Sequence, residues 1–150
     1  MSTFSGKYYY TIDPKGRIMI PAPLREVISA NYSPKLYITN APADKCLHIY
    51  PLEEWNGLLE KVRGLPKSNK SVKRYMRNVI GSAIEVNIDK QGRVQVPSSL
   101  REDSDIKGDI VIVGLLDKLE VWDRQKWDQA MAESSIDETA FEEELSEFGL

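Results

Sequence analysis

Apolar and polar residues alternate at two places 76 residues apart. Tyr8, Tyr10 and Ile12 alternate with Tyr9 and Thr11, and Ile84, Val86 and Ile88 alternate with Glu85 and Asn87. A period of two predicts half-buried strands whose apolar members point inward. Each run ends in a turn, D-P-K-G at 13–16 and D-K-Q-G at 89–92. A type I turn followed by a left-handed residue is a common hairpin connection, and glycine takes the left-handed position at least cost. Asp13 and Asp89 open these turns, where a carboxylate can bond the backbone ahead of it. Gly16 and Gly92 fill the left-handed place. The return strands carry Ile18 and Ile20, or Val94 and Val96, on one face, and Arg17 and Met19, or Arg93 and Gln95, on the other.

Pro21 and Pro97 close those strands, and a short helix is expected after each, with Leu24 or Leu100 inward and Arg25 or Arg101 near the surface. Two further strands are expected per copy, Leu36–Thr39 with Cys46–Tyr50 and Ile110–Gly114 with Lys118–Trp122. Each copy then ends in a helix, striped by Leu52, Trp55, Leu59 and Val62 in the first and by Trp127, Ala130 and Met131 in the second. Between them, Val72, Tyr75, Met76, Val79 and Ile80 predict a helix over about Ser68 to Ile80, stopped by Gly81.

The chain is therefore a tandem repeat. Residues 13–26 and 89–102 correspond at an offset of 76, while Leu47, Ile49, Tyr50 and Trp55 correspond to Leu119, Val121, Trp122 and Trp127 at an offset of 72. Two copies are too few for a solenoid. They suggest two half-domains that complete one core. The expected organisation is a first repeat over 1–62, a basic linker helix over 63–83, a second repeat over 84–132 and an acidic tail over 133–150.

The net charge of −3 hides an asymmetry. No Lys or Arg follows Lys126, and residues 133–150 hold seven acids, so residues 1–132 keep 20 bases against 16 acids, a net of +4. Residues 61–77 hold seven bases and no acid. Those bases could touch nucleic-acid phosphates, pair with acids of the tail or a neighbouring subunit, or face water. The N-terminus has no apolar signal core, no run approaches a membrane span, and Cys46 is the only cysteine, so a reducing cytoplasm is expected.

No phosphate-binding loop, nucleophile elbow or paired nucleophile and base is present, so no enzymatic site is expected. One His and one Cys predict no metal site. His48 flanks inward Leu47 and Ile49 and is expected at the surface, in the place that Glu120 holds in copy two. Trp55 and Trp127 are expected in packing rather than in stacking on a ligand. Arg17 and Arg93 are the candidates for chemistry. A guanidinium fork on a hairpin edge can grip guanine or phosphate in bidentate fashion. The residues alone leave the other reading open, a surface ion pair with Asp13 or Asp89.

The pattern D-x-x-G-R-hydrophobic-x-hydrophobic-P-x-x-hydrophobic-R resembles the AbrB-type swapped-hairpin superfamily. Its tandem form, with L-E-V-W-D-R-Q-K-W-D at 119–128, resembles the MraZ family over about residues 4–131. The resemblance implies an α+β fold, a pseudo-dimeric swapped-hairpin β-barrel with flanking helices. It further implies a ring-shaped homo-oligomer, and sequence-specific binding of double-stranded promoter repeats at the bacterial division and cell-wall gene cluster, hence a nucleoid-associated regulator. The family's Asp-x-x-x-Arg motif falls on Asp13 and Arg17 and again on Asp89 and Arg93. Lys7, Lys15, Lys90, Arg25 and Arg101 are candidates for phosphate contacts, with an ordinary solvated charge as the other reading of each. No cofactor is expected. A protein-interaction module of antidote type is the alternative.

Overall fold

The computed structural model describes residues 3–133 and 137–150. Residues 1–2 of the expected first repeat and 134–136 of the expected tail lie outside the described residues. Six strands form one antiparallel sheet, with β1 (Lys7–Thr11), β3 (Lys35–Asn40), β4 (Leu47–Pro51), β5 (Ile84–Asn87), β7 (Asp109–Leu115) and β8 (Lys118–Asp123) in the order β1-β7-β8-β4-β3-β5. The short strands β2 (Arg17–Met19) and β6 (Arg93–Gln95) form a separate two-stranded ribbon. Among the described residues there are six α-helices: α1 (Ala22–Asn31), α2 (Leu52–Arg63), α3 (Lys70–Tyr75), α4 (Ser98–Ser104), α5 (Arg124–Glu133) and α6 (Glu138–Glu147).

The pairing crosses between the copies. β1 of the first copy pairs with β7 of the second, β5 of the second with β3 of the first, and β2 with β6. The 13–16 and 89–92 turns are present, but the strands that flank each turn do not pair with each other. The sheet is open, with β1 and β5 at its edges, so the expected closed barrel is not what the hydrogen bonds describe. The ribbon breaks the continuity: β2 and β6 use their ladder bonds on each other and lie across one face of the sheet. Ile84, expected inward, is 36% exposed because β5 is an edge strand.

Two of the pairings are self-pairings under the repeat. Ile18 faces Val94 at the centre of the ribbon, and His48 faces Glu120 where β4 meets β8. Each pair consists of residues that correspond between the copies, so a local two-fold relates the halves through both points.

The main core lies between the ribbon, α1, α4 and one face of the sheet. Ile18, Ile20, Val94 and Val96 from the ribbon strands and their ends meet Leu24, Leu100, Leu36, Ile38, Leu47, Ile49, Ile110, Ile112 and Leu119, all essentially without exposure. Of these, Ile18, Ile20, Val94, Val96, Leu47 and Ile49 are positions that the alternation assigns inward. The prolines have a local role: Pro21, Pro51 and Pro97, with φ near −55 and ψ near 145, end a strand and sit at the N-caps of α1, α2 and α4. In copy two Asp123 takes the place of Pro51 and accepts a hydrogen bond from the Lys126 backbone N–H at 3.2 Å.

Helices cover the opposite face as well. Trp55 of α2 stacks on Tyr37 at 5.2 Å and packs on Tyr50 at 5.7 Å, and Trp127 of α5 meets Trp122 edge-on at 5.7 Å. Both tryptophans therefore pack, as expected. The linker helix is shorter than its periodicity predicts: α3 ends at Tyr75 and the chain widens into a π-helical turn over Met76–Ile80. Gly81 closes that turn at a φ of −67, where a Cβ would lie 2.5 Å from the Arg77 carbonyl oxygen.

Ile38 lies at the centre of this core with no exposure. Ile38→Ala is expected to cost about 2–5 kcal/mol, read as a lower urea midpoint with unchanged slope.

Candidate nucleic-acid interface

Each turn is built by its aspartate. Asp13 Oδ1 accepts from the backbone N–H groups of Lys15 at 3.0 Å and Arg17 at 2.8 Å, and Asp89 Oδ1 accepts from Gln91 and Arg93, both at 2.9 Å. The backbone closes the same loops, with Gly16 N–H donating to the Asp13 carbonyl and Gly92 N–H to that of Asp89. The second carboxylate oxygen holds the arginine. Arg17 Nε lies 2.6 Å from Asp13 Oδ2, and Arg93 Nε lies 3.0 Å from Asp89 Oδ2. With Nε committed, the terminal nitrogens are the part of each guanidinium that faces a ligand. Arg93 Nη2 also donates to Gln91 Oε1.

The ribbon sets the two arginines on one face. Arg17 pairs with Gln95 and Met19 with Arg93, while Ile18 and Val94 point into the core between them. Arg17 and Arg93 are thus diagonal neighbours, with Cα atoms about 7–8 Å apart. Their side chains are 29% and 25% exposed, reachable but supported on one side.

The copies brace each other at the turns. Gly16 O accepts from Val96 N–H, and Gly92 O accepts from Ile20 N–H, both at 2.9 Å. Gly16 and Gly92 have φ of 80 and 84, as the turn type requires. A second constraint comes from the other copy. A Cβ on Gly16 would lie 2.6 Å from Arg101 Cζ, and one on Gly92 would run into Arg25 Nη1. Arg25 and Arg101, read from the sequence as phosphate contacts, are half-buried against the opposite copy's turn. Arg25 Nη1 donates to the Ile20 carbonyl at 3.0 Å and contacts Met19 Sδ at 3.2 Å.

The other candidates divide. Lys15 and Lys90 are exposed on the two turns, beside the arginines. Lys7 lies at the opposite end of β1 from Asp13, its ammonium 5.6 Å from the Trp127 ring and 5.9 Å from the Tyr9 ring, so the structure does not bring it to the turns. Met19 and Gln95 belong to the ribbon face although no motif marks them; strand alternation is the signal that finds them. A second basic surface, lined by Lys70, Lys73, Arg74, Arg77 and Asn78, runs along α3 and the π turn. No ion pair joins it to α6 among the described residues.

A corrected residue lies on the far face of the sheet. His48 is 7% exposed, not on the surface, because α2, α5 and their aromatic partners cover the side that the alternation left polar. The structure brings Cys46, His48 and Glu120 together there, where one His and one Cys had predicted no such group. Burial pushes the Cys46 thiol up, and the nearby Glu120 and Asp44 carboxylates push it further, so it is no ready nucleophile.

Comparison with known proteins settles the family. The MraZ family model, described as antitoxin-like, matches residues 3–78 and again 79–148. The chain belongs to the MraZ family. It is 39% identical over 147 residues to the transcriptional regulator MraZ of Clostridium beijerinckii, covering 98% of this chain and 99% of that protein. It is 37% identical, over the same shares, to the transcriptional regulator MraZ of Clostridium tetani, and 39% identical to that of Clostridium acetobutylicum. These MraZ relatives are named as regulators, not as enzymes. No helix among the described residues is long and apolar enough to cross a membrane.

The turns carry a pH signature. The Arg17 backbone N–H lowers Asp13, desolvation opposes this, and the Arg17 guanidinium adds to the lowering; Asp89 behaves alike, led by the Arg93 backbone N–H. A depressed folded value means that each aspartate's contribution is fully present above its ordinary value of 3.8 and is lost as pH falls through the lower folded value. Amide exchange at Lys15, Arg17, Gln91 and Arg93, corrected for intrinsic rates, is therefore expected to lose protection below about pH 4. Asp13→Asn and Asp89→Asn should remove that pH step. Gly16→Ala and Gly92→Ala are each expected to cost at least about 1–2 kcal/mol in chemical denaturation, from the left-handed backbone alone.

Proposed function

We propose that this chain is a sequence-specific DNA-binding transcriptional regulator that grips duplex DNA through the β2–β6 ribbon. One observation carries the reading: two arginines, each tethered through Nε by its own aspartate, stand on one face of a ribbon clamped from behind. A two-stranded ribbon fits the major groove, and an arginine fork matches O6 and N7 of guanine. A diagonal spacing of about 7–8 Å spans roughly two base-pair steps of about 3.4 Å each. Lys15 and Lys90 flank the arginines as phosphate contacts, which position the ribbon without specifying sequence. Arg25 and Arg101 act from behind, holding the turns. The names of the relatives, all transcriptional regulators, support the same reading.

Arg17 and Arg93 obey the local two-fold, whereas Met19 and Gln95 break it. The two halves of the ribbon therefore present different groups to the bases. An asymmetric site suits them better than a palindrome, with Gln95 able to pair with adenine and Met19 offering an apolar contact.

One ribbon offers few contacts, so a single chain binds modestly. In our reading it acts as a ring-shaped homo-oligomer on repeated boxes in the promoter of the division and cell-wall gene cluster, where effective concentration raises affinity. The antitoxin-like description of the family favours a second reading, in which the same ribbon faces bind a protein partner.

Gel shifts on the chain's own upstream region test the proposal. Arg17→Ala and Arg93→Ala should each lose about 1–3 kcal/mol of discrimination between specific and scrambled DNA, with fold and oligomeric mass unchanged. The affinity should fall with salt at a log–log slope of about 0.9 per phosphate neutralised. A shift that survives both replacements would move the interface to the α3 surface, and no shift at all, with a protein partner captured instead, would favour the second reading.

A further inference from the structure

The polar cluster across the β4–β8 seam serves neither the ribbon nor the main core. Cys46, His48 and Tyr50 succeed one another on one face of the first copy, because Leu47 and Ile49 take the other face. Glu120 and Trp122 do the same on β8. His48 and Glu120 face each other at the local two-fold. In a dimer of identical copies this point would oppose a residue to itself, which for glutamate means two like charges. Duplication inside one chain lets the two places diverge, and here they hold an imidazole and a carboxylate.

We propose that Cys46 Sγ, His48 Nε2 and Glu120 Oε2 form a site for a single divalent transition metal of borderline softness, zinc above all. The donor atoms of the three side chains lie within 4.8 Å of one another, and His48 Nε2 stands 3.2 Å from Glu120 Oε2. Zinc bonds of about 2.0–2.3 Å in a tetrahedron place their donors roughly 3.3–3.6 Å apart, so little movement is needed. One thiolate, one imidazole and one carboxylate are all common zinc donors.

The surroundings resemble the outer shell that metal ligands require. Ligating histidines usually engage the other ring nitrogen in a hydrogen bond, and ligating carboxylates are themselves hydrogen-bonded. Tyr50 Oη lies 3.4 Å from His48 Nδ1, which leaves Nε2 as the metal-facing nitrogen. Trp122 Nε1 donates to Glu120 Oε1 at 2.9 Å, which leaves Oε2 for the ion. Cys46 is 1% exposed, while the His48 and Glu120 side chains at 9% and 14% keep a narrow approach open. On binding, the His48–Glu120 hydrogen bond is replaced by two metal bonds, the imidazole proton moves from Nε2 to Nδ1, which then donates to Tyr50 Oη, and the Cys46 thiol releases its proton to solvent. Three protein donors leave the fourth position of the tetrahedron to water. The ion would join copy one to copy two on the sheet face opposite the main core, and so stabilise the pairing of the halves by mass action.

Cobalt(II) is the probe. The full chain, stripped with a chelator and dialysed, is titrated with cobalt chloride while absorbance and melting temperature are followed. Saturation at one ion per chain, with a thiolate-to-cobalt charge-transfer band, displacement by zinc and a higher melting temperature, is the expected result. His48→Gln and Glu120→Gln should weaken binding more than about a hundredfold, and Tyr50→Phe by about 10–100-fold, as for loss of an outer-shell partner. Cys46→Ala should abolish the band; if that variant does not fold, the wild-type band and the other two ligand variants decide. Folded wild-type protein with no band at one equivalent overturns the proposal. So does cobalt binding that is indifferent to His48→Gln and Glu120→Gln, which would mark loose association with the acidic tail.

Discussion

Neither copy can complete its own sheet, and that constraint organises everything else. β2 has no ladder partner in its own half; its partner is β6, across the local two-fold, which has the same deficit. β1 and β5 likewise lie on strands of the opposite copy. The native fold therefore joins two distant parts of the chain, and neither half has a closed core by itself. The apolar sides of the ribbon strands, Ile18 and Val94 with Ile20 and Val96, close the core from above. Their polar sides are left outward by the same alternation, and those sides carry Arg17 and Arg93. A face is presented to solvent because its reverse is the lid of the core.

Rigidity at the site follows from reciprocity. Each turn glycine accepts a backbone hydrogen bond from the other copy and lies against an arginine from the other copy's helix. Each aspartate uses one oxygen to shape its turn and the other to hold its arginine. A long cation normally loses much side-chain freedom when it engages a ligand. Here part of that loss is met on folding, so less of it falls on binding. The Asp–Arg pairs are open to solvent on one side and contribute little to stability in themselves. Their value lies in aiming the terminal nitrogens.

Much of this was legible in the chain, for physical reasons that can be named. Period-two alternation and the D-x-x-G turns located the strands around Arg17 and Arg93 and the left-handed glycines, because these are local constraints written in adjacent residues. The tryptophan echo placed α2 and α5. What the pattern could not say was which strand neighbours which. Alternation assigns a face, not a partner, so the cross-copy ribbon and the open sheet came only with the fold. The same limit explains His48: a polar residue on a strand reads as outward, and only the helices that cover this second face make it buried. Arg25 and Arg101 read as surface cations for a similar reason, since each presses against the turn of the other copy, far away in the chain. The charge asymmetry drew attention to residues 61–77, yet the more closely braced surface is the ribbon face, with fewer charges and more geometry.

The central claim is that a braced two-stranded ribbon, rather than a diffuse basic surface, meets the DNA. Hydrogen–deuterium exchange of the full chain with and without its upstream promoter duplex tests this most directly. The account predicts that new protection concentrates in two short segments, Asp13–Met19 and Asp89–Gln95, while Lys70–Ile80 is unchanged. Protection confined to Lys70–Ile80, with both turns exchanging as in the free protein, would contradict it.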